Sequence, residues 1–339
     1  MIERMNKSLF LLFFLLLFYS ISIAQISISG NVFDKATKQP LEGVSVFFDG
    51  TSIGTISNEN GFFELNTNKS ISAYLVISYI GYKTEIFNNV SGFLGEILLQ
   101  ENAVQLNEVV LTPDTWSRER KLNIFRGEFL GKTTAALSSK IENEDDIRLY
   151  YNKEKNTLYA YAEVPIKVVN TYLGFKIAYN LHSFEVNFGD GLNKFNTSSW
   201  SYMAGTLFFS ELHPKKLKKK YKKNREKTYL GSTLQFMRSL SQKKLEEDKF
   251  QIFKEKFQIP PYAEFIIQKH DGFTEIKQTT ESLTILYDGK EQSTIQVYGD
   301  SFTIDDFGNH SPSQNVYFGG ILGKQRVGNM LPLDYTFFN

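Results

Sequence analysis

Gly54-Thr55-Ile56-Ser57-Asn58-Glu59-Asn60-Gly61-Phe62-Phe63-Glu64-Leu65 is the stretch whose reading decides the fold. Two short apolar-alternating runs flank a polar cluster ending in Gly, the pattern of a tight connection between antiparallel strands. On either side the same pattern repeats. Ile26 to Val32, Val44 to Phe48, Phe62 to Leu65, Ala73 to Tyr79, Thr84 to Phe87 and Phe93 to Leu99 carry alternating or continuous apolar residues. They are separated by Asp34 to Pro40, Asp49-Gly50, Asn58 to Gly61, Gly81 and Asn88-Asn89, all rich in turn formers. Strands at this spacing, with no helical period between them, predict an antiparallel β-sandwich of about 75 residues.

Five separated signatures in this region carry a family resemblance. They are Gly30-Asn31-Val32-Phe33-Asp34, Thr37 with Pro40-Leu41-Glu42-Gly43-Val44, Gly54-Thr55, Asn60-Gly61-Phe62-Phe63 and Ser78-Tyr79-Ile80-Gly81-Tyr82. Together they resemble the carboxypeptidase regulatory-like, transthyretin-like domain. Many exported and outer-membrane proteins of Gram-negative bacteria carry that domain, including receptors dependent on TonB. Gln105 to Leu111 is similar to the short strand that leads out of it in those receptors. In physical terms Pro40 presets φ before a strand, while Gly43, Gly61 and Gly81 suit backbone conformations or close approaches that a Cβ resists. These are fold-making positions, and none is expected to be catalytic.

The N-terminus sets the expected compartment. Arg4 and Lys7 precede the apolar run Leu9 to Phe18, followed by small residues at Ser22 and Ala24, which reads as a signal peptide over residues 1–24 cleaved before Gln25. The apolar core is shorter than the roughly 20 residues of a spanning helix. The expected location is the periplasm or outer membrane, with no transmembrane helix in the mature chain. With no Cys in the 339 residues, disulfides, thiol catalysis, cysteine-ligated zinc and a lipidated Cys anchor are all excluded. A net charge of +1 gives no overall field to attract nucleic acid.

The expected organisation is a sandwich over 25–101, a linker strand over 102–115 and an α+β domain over 116–339, a mainly β / α+β chain. In the last region Trp116 to Leu130 reads as a helix with Leu122, Phe125 and Phe129 inward and Gly131 as its stop. Strands are expected at 147–151, 157–169, 173–181, 184–188, 202–209, 264–269, 283–287 and 294–303. Asp288-Gly289 marks a hairpin and Ser232-Thr233-Leu234-Gln235 a capped helix start, so the region holds two or three helices. Parts of it, among them Leu173-Gly174-Phe175, Asn224-Arg225-Glu226 and Leu331-Pro332-Leu333-Asp334-Tyr335, resemble the tail that accompanies such a sandwich in other exported proteins. That resemblance implies no activity.

Two constellations have chemical content. His182-Ser183-Phe184-Glu185 with the distant His310 has the ligand types of a zinc carboxypeptidase. Three residues apart on a strand, however, His182 and Glu185 face opposite ways. The resemblance is also to the accessory domain of those enzymes and not to the catalytic one. Lys215 to Lys227 holds eight Lys and one Arg against the single Glu226. As a helix it would present Leu217 and Tyr221 inward and a broad basic face outward, making Lys216, Lys219, Lys220, Lys223 and Arg225 anion-binding candidates. A solvated face is the alternative, because residues 26–111 carry a net −5 and residues 112–339 a net +5. Glu142 to Asp146 and Asp305-Asp306 with Asn309 lack the spacing of a calcium loop.

The expected function is a non-enzymatic cell-envelope protein with a binding or assembly role, needing no cofactor. Its expected partner is an envelope protein or an anionic glycan or lipid, and not nucleic acid. A metal-dependent hydrolase, and a small outer-membrane barrel or receptor accessory protein, are the alternatives.

Overall fold

The structure, a computed structural model, describes residues 26–67, 73–88, 90–102, 115–189 and 199–337. The expected signal peptide, the linker strand at Gln105 to Leu111 and the Thr112-Pro113-Asp114 boundary lie outside these residues.

The first seven strands are β1 (Ile26–Asp34), β2 (Ser45–Phe48), β3 (Gly54–Ile56), β4 (Phe62–Thr67), β5 (Leu75–Ser78), β6 (Glu85–Phe87) and β7 (Gly92–Leu99). They form two sheets, β4-β1-β7 and β3-β2-β5-β6. Strict alternation turns Phe63, Leu65 and Thr67 of β4 inward and Phe62 and Glu64 outward. Ile28, Val32, Val46, Phe48, Leu75, Ile77, Ile97 and Leu99 complete the core between the sheets. One pairing departs from the expected antiparallel pattern, since β1 and β7 run parallel. They are the first and last strands, so five intervening strands supply the long crossover that a parallel pair requires.

The dispersed signature residues meet in space. Asp34 Oδ1 accepts the amides of Ala36 and Thr37 at 2.8 and 2.6 Å and the Thr37 hydroxyl at 2.9 Å. Tyr82 Oη donates to Asp34 Oδ2 at 2.8 Å. The Thr37 amide, then the Tyr82 and Thr37 hydroxyls, hold the Asp34 carboxyl down at about 2, and the same contact pushes Tyr82 up to about 12. Gly61 sits at φ +73°, and a Cβ there would lie 2.4 Å from the Val32 carbonyl oxygen, so only Gly closes this turn against β1. Gly43 and Gly81 likewise hold positive φ, +77° and +87°.

The remainder begins with α1 (Arg118–Phe129), α2 (Thr134–Leu137), β8 (Ser139–Ile141), β9 (Ile147–Asn152), β10 (Thr157–Ala162), β11 (Ile166–Asn170), β12 (Phe175–Asn187) and β13 (Trp200–Glu211). Two adjacent helices follow, α3 (Lys219–Tyr229) and α4 (Thr233–Ser241). Next come β14 (Phe250–Lys254), β15 (Phe257–Ile259), β16 (Phe265–Lys269), β17 (Phe273–Gln278), β18 (Ser282–Tyr287), β19 (Glu291–Val297), β20 (Phe302–Asp305), β21 (His310–Ser311), β22 (Val316–Gly319) and α5 (Gly320–Gly323). The sheets are β8-β11-β12-β10-β9 with β13 on β12, β15-β14-β18-β19-β22, and β16-β17-β20-β21.

Two cores serve this part of the chain. One joins α1 to the β8–β13 sheet and takes Tyr229, Val327 and Leu331 from later in sequence. The other joins α4 to strands β14–β22. In α1 the Ser117 side chain caps the Arg120 amide, Leu122, Phe125 and Phe129 are buried, and Gly131 at φ +94° follows the end. Fully burying Phe125 and Phe129 is worth roughly 2–3 kcal/mol each. None of these sheets closes on itself among the described residues, whereas a membrane barrel is one closed sheet. No described helix is long and apolar enough to cross a membrane.

The sandwich is joined to the rest through the loop after β2. Gly50 N donates to Leu207 O at 2.8 Å and Phe209 N donates to Thr51 O at 3.0 Å, so the loop lies along the outer edge of β13. On its other side Leu333 N donates to Gly50 O at 2.7 Å, and Ser52 N donates to Asp334 Oδ1 at 2.7 Å. Phe47 packs on Phe208, ring centroids 5.3 Å apart, on the outer face of the same strand.

Candidate functional site

The basic segment forms α3, with a start and an inward face that differ from the expectation. The helix begins at Lys219, and Leu217, expected inward, is 46% exposed ahead of it. The inward stripe is instead Tyr221, Arg225 and Tyr229, spaced by one turn each. Tyr221 stacks on His213 at 5.9 Å and covers Gly174, where a Cβ would lie 2.3 Å from its ring. Tyr229 packs against Tyr335 and Phe337.

Arg225 is part of this mount. Expected as an anion-binding candidate, it is 4% exposed. Its two terminal nitrogens bond both oxygens of Glu211 at 2.8 Å, its Nε donates to Leu173 O at 2.8 Å, and its plane lies 3.7 Å over Phe175. Four of its five N–H groups are bonded inside the fold and the side chain is buried, so it is removed from the candidates.

Lys215, Lys216, Lys218, Lys219, Lys220, Lys222, Lys223 and Lys227 are all exposed. This arrangement is locally unfavourable. Lys219–Lys223 and Lys223–Lys227 are like charges four apart on the helix, and cations in the first turn oppose the helix dipole. Lys218 caps α3 without a side-chain hydrogen bond. Tyr221, Arg225 and Tyr229 therefore hold the helix in place against its own surface. Lys222 meets Glu226 at 4.0 Å, while among the described residues no ion pair joins these lysines to the acidic sandwich. Two of them lie near Tyr221, Lys218 at 5.7 Å and Lys220 at 5.2 Å from its ring centre.

The metal candidates are dispersed. His182 and Glu185 share β12, whereas His310 is on β21 of another sheet. A bulge sits at His182, where Leu181 pairs Gly205 and Ser183 pairs Ala204, so the simple alternation expected there is broken. Burial lowers the basicity of both histidines, holding His310 down at about 4. No group of three His, Asp or Glu side chains able to hold an ion occurs among the described residues. In the acidic runs, Glu144 is taken by Arg126, whose Nε and Nη2 bond its two oxygens at 2.8 and 2.7 Å. Asp305 Oδ1 closes its own turn by accepting the Phe307 and Asn309 amides.

An open cleft of about 400 Å³ lies over the outer face of β16 and β17, lined by Ile266, Gln268, Glu275, Lys277, Asp300 and Ser301. Ser301 Oγ donates to Glu275 Oε1 at 2.6 Å, and His270 Nε2 stands 3.8 Å from Glu275 Oε2. The serine is thus hydrogen-bonded to a carboxylate, and the imidazole lies against that carboxylate's far oxygen and not against the hydroxyl. Sequence reading missed this cleft because no motif marks it.

Residues 28–111 match the family model of the CarboxypepD_reg-like domain. The N-terminal region of this chain is a domain of that family, a β-sandwich as the strand pattern and the Asp34, Thr37, Gly61 and Tyr82 contacts require. Comparison with curated proteins finds no match. Among solved structures, part of the chain is similar to two interface mutants of a type II cohesin–X-dockerin complex from Acetivibrio cellulolyticus, one altered at its C-terminal and one at its N-terminal interface. Identities are 24% and 23%, the TM-score is 0.20 in both, and each match covers 22% of this chain. The match spans 56% and 58% of those chains, little more than half of their length. At that TM-score the likeness carries no argument about this protein.

Proposed function

We propose that the protein is a non-enzymatic component of the cell envelope that binds a partner bearing clustered phosphates or carboxylates through the α3 lysines. Eight exposed lysines, five on the packed helix α3 and three just ahead of it, are the observation that carries the reading. The fold holds them together at a local electrostatic cost, and Tyr221, Arg225 and Tyr229 supply the mount. Clustered cations raise the local concentration of anions. The basic, apolar and small-residue sequence of residues 1–24 supports export, and the CarboxypepD_reg-like sandwich supports a structural or binding role.

The test uses the mature chain from Gln25. Co-sedimentation is measured with neutral phosphatidylcholine vesicles, with vesicles carrying phosphatidylglycerol or lipopolysaccharide, and with a soluble polygalacturonate. Binding to an anionic arm, falling as salt rises, and its loss in a variant with Lys216, Lys219, Lys220 and Lys223 all changed to Glu, is the expected result. Which arm binds separates a lipid headgroup from an acidic glycan. Equal binding by the charge-reversed variant, or none to any anionic arm, overturns the reading.

A further inference from the structure

The outer face of the β8–β13 sheet carries a second surface of different chemistry. Tyr150 on β9 pairs with Tyr159 on β10, Tyr159 with Glu185 on β12, and Glu185 with Tyr202 on β13, so four side chains stand in one row across four strands. Beside them Arg148 pairs with Tyr161, and Asn187 with Trp200. Their sequence neighbours Tyr151, Leu158, Ala160, Phe184 and Val186 are buried in the core, so alternation turns the row outward. Tyr161, Trp200 and Tyr202 are 57%, 48% and 51% exposed. The hydroxyl of Tyr161 is raised first by removal from water and then by Tyr159, Glu185 and Tyr150, which places these groups around it.

Large aromatic side chains are normally covered, and a cluster of them left at the surface marks an interaction site. On this sheet the covering is partial. Phe208, six residues farther along the same face of β13, is covered by Phe47 of the sandwich, whereas Tyr202 is left exposed.

We infer that this row is a binding platform for a neutral polysaccharide. Flat rings on a sheet face match the apolar faces of pyranose rings, while Glu185 accepts and Arg148, Asn187 and the tyrosine hydroxyls donate to sugar hydroxyls. Four strands set the row at about 14 Å, the length of a short oligosaccharide. One Glu and one Arg leave the platform near neutrality, which separates its ligand from the polyanion sought by α3. An apolar peptide would leave Glu185 within the contact, and Arg148 at its β9 edge, without partners of their own polarity.

Affinity electrophoresis of the whole mature chain in gels containing hydroxyethylcellulose, xylan or amylopectin tests the platform. Retardation in at least one gel is expected, insensitive to salt. The exposed positions tolerate substitution, so Tyr161→Ala and Tyr202→Ala should keep the thermal melt and weaken binding at least about tenfold, roughly 1.4 kcal/mol. Tyr317→Ala, an exposed tyrosine on β22, should leave it unchanged. No retardation in any gel, retardation unchanged in the Tyr161/Tyr202 double variant, or a wild-type dimer that this variant converts to monomer would each overturn the inference.

Discussion

Asp49 Oδ1 accepts the Leu207 amide at 2.7 Å, so a side chain of the sandwich stands where a neighbouring strand would pair with the edge of β13. The Gly50 and Thr51 backbones continue that pairing, and a parallel bridge joins Thr51 to Phe208. An open edge is a template for pairing with another chain, and here the protein covers part of it with its own loop. The partly buried carboxylate is pushed up to about 6 by its removal from water, against the lowering effect of the Leu207 and Gly50 amides.

That position predicts a pH dependence of defined sign. Between the unfolded value near 3.8 and about 6 the folded protein holds a proton on Asp49 that the unfolded chain lacks, so stability falls as pH rises through this window. Asp49→Asn keeps the acceptor without the charge. Thermal melts from pH 4 to 7.5 should show the wild type losing on the order of 1–3 kcal/mol that the variant retains. Identical pH profiles would sink this account. Asp34 acts oppositely, since its carboxyl is held at about 2 and its contribution is lost as pH falls below about 4.

Arg238 anchors the segment that presses on the same loop. Its Nη1 and Nη2 donate to the Tyr335 and Leu333 carbonyls at 2.9 and 2.7 Å, and its Nε to Phe307 O at 2.9 Å. Arg238→Lys cannot span three acceptors. Hydrogen exchange should report faster exchange at the Leu333 and Ser52 amides, with stability reduced by about 1–3 kcal/mol. Unchanged protection at Leu333 would remove Arg238 from this role.

The α3 mount predicts coupling between a core contact and the basic surface. Arg225→Met strands the Glu211 carboxylate, and with Glu211 partly exposed the loss should be about 2–4 kcal/mol in denaturant unfolding. Gly174→Ala drives a methyl toward the Tyr221 ring and should weaken binding to anionic vesicles although no lysine is altered. Full binding with α3 intact in that variant would argue against the mount.

Zinc analysis addresses the hydrolase alternative. With His182, Glu185 and His310 on two sheets, the purified chain should hold less than ~0.1 zinc per molecule, and His182→Ala should leave its melting temperature unchanged. A stoichiometric ion lost in His182→Ala would reverse that expectation.

Much of the architecture was legible in the chain because its causes are local. Alternation marked the strands of the sandwich, Asp288-Gly289 marked the turn where both residues take positive φ, and Ser232 caps α4 through the Gln235 amide as its spacing implies. Other boundaries depend on neighbours. The run expected as one strand over 157–169 divides at Pro165, which lacks a ladder donor, and the two strands expected over 173–188 are one strand with a bulge at His182. The strand expected over 294–303 divides around Gly299 at φ +91°. β14, β15, β17 and β22 gave no distinct signal, and β3, marked by the run before Asn58, pairs with β2 and not with β4 across that turn.

By itself the sequence determined the sandwich, its turns and the existence of a basic segment, since strand period, glycine placement and charge are properties of neighbouring residues. Only the tertiary structure decided which basic residue is structural. Arg225 reads as one more cation in a run of lysines until Glu211, Phe175 and Leu173, all distant in sequence, enclose it. The tyrosine row likewise exists only through strand register, because Tyr150, Tyr159, Glu185 and Tyr202 become neighbours by pairing and by nothing in their spacing along the chain.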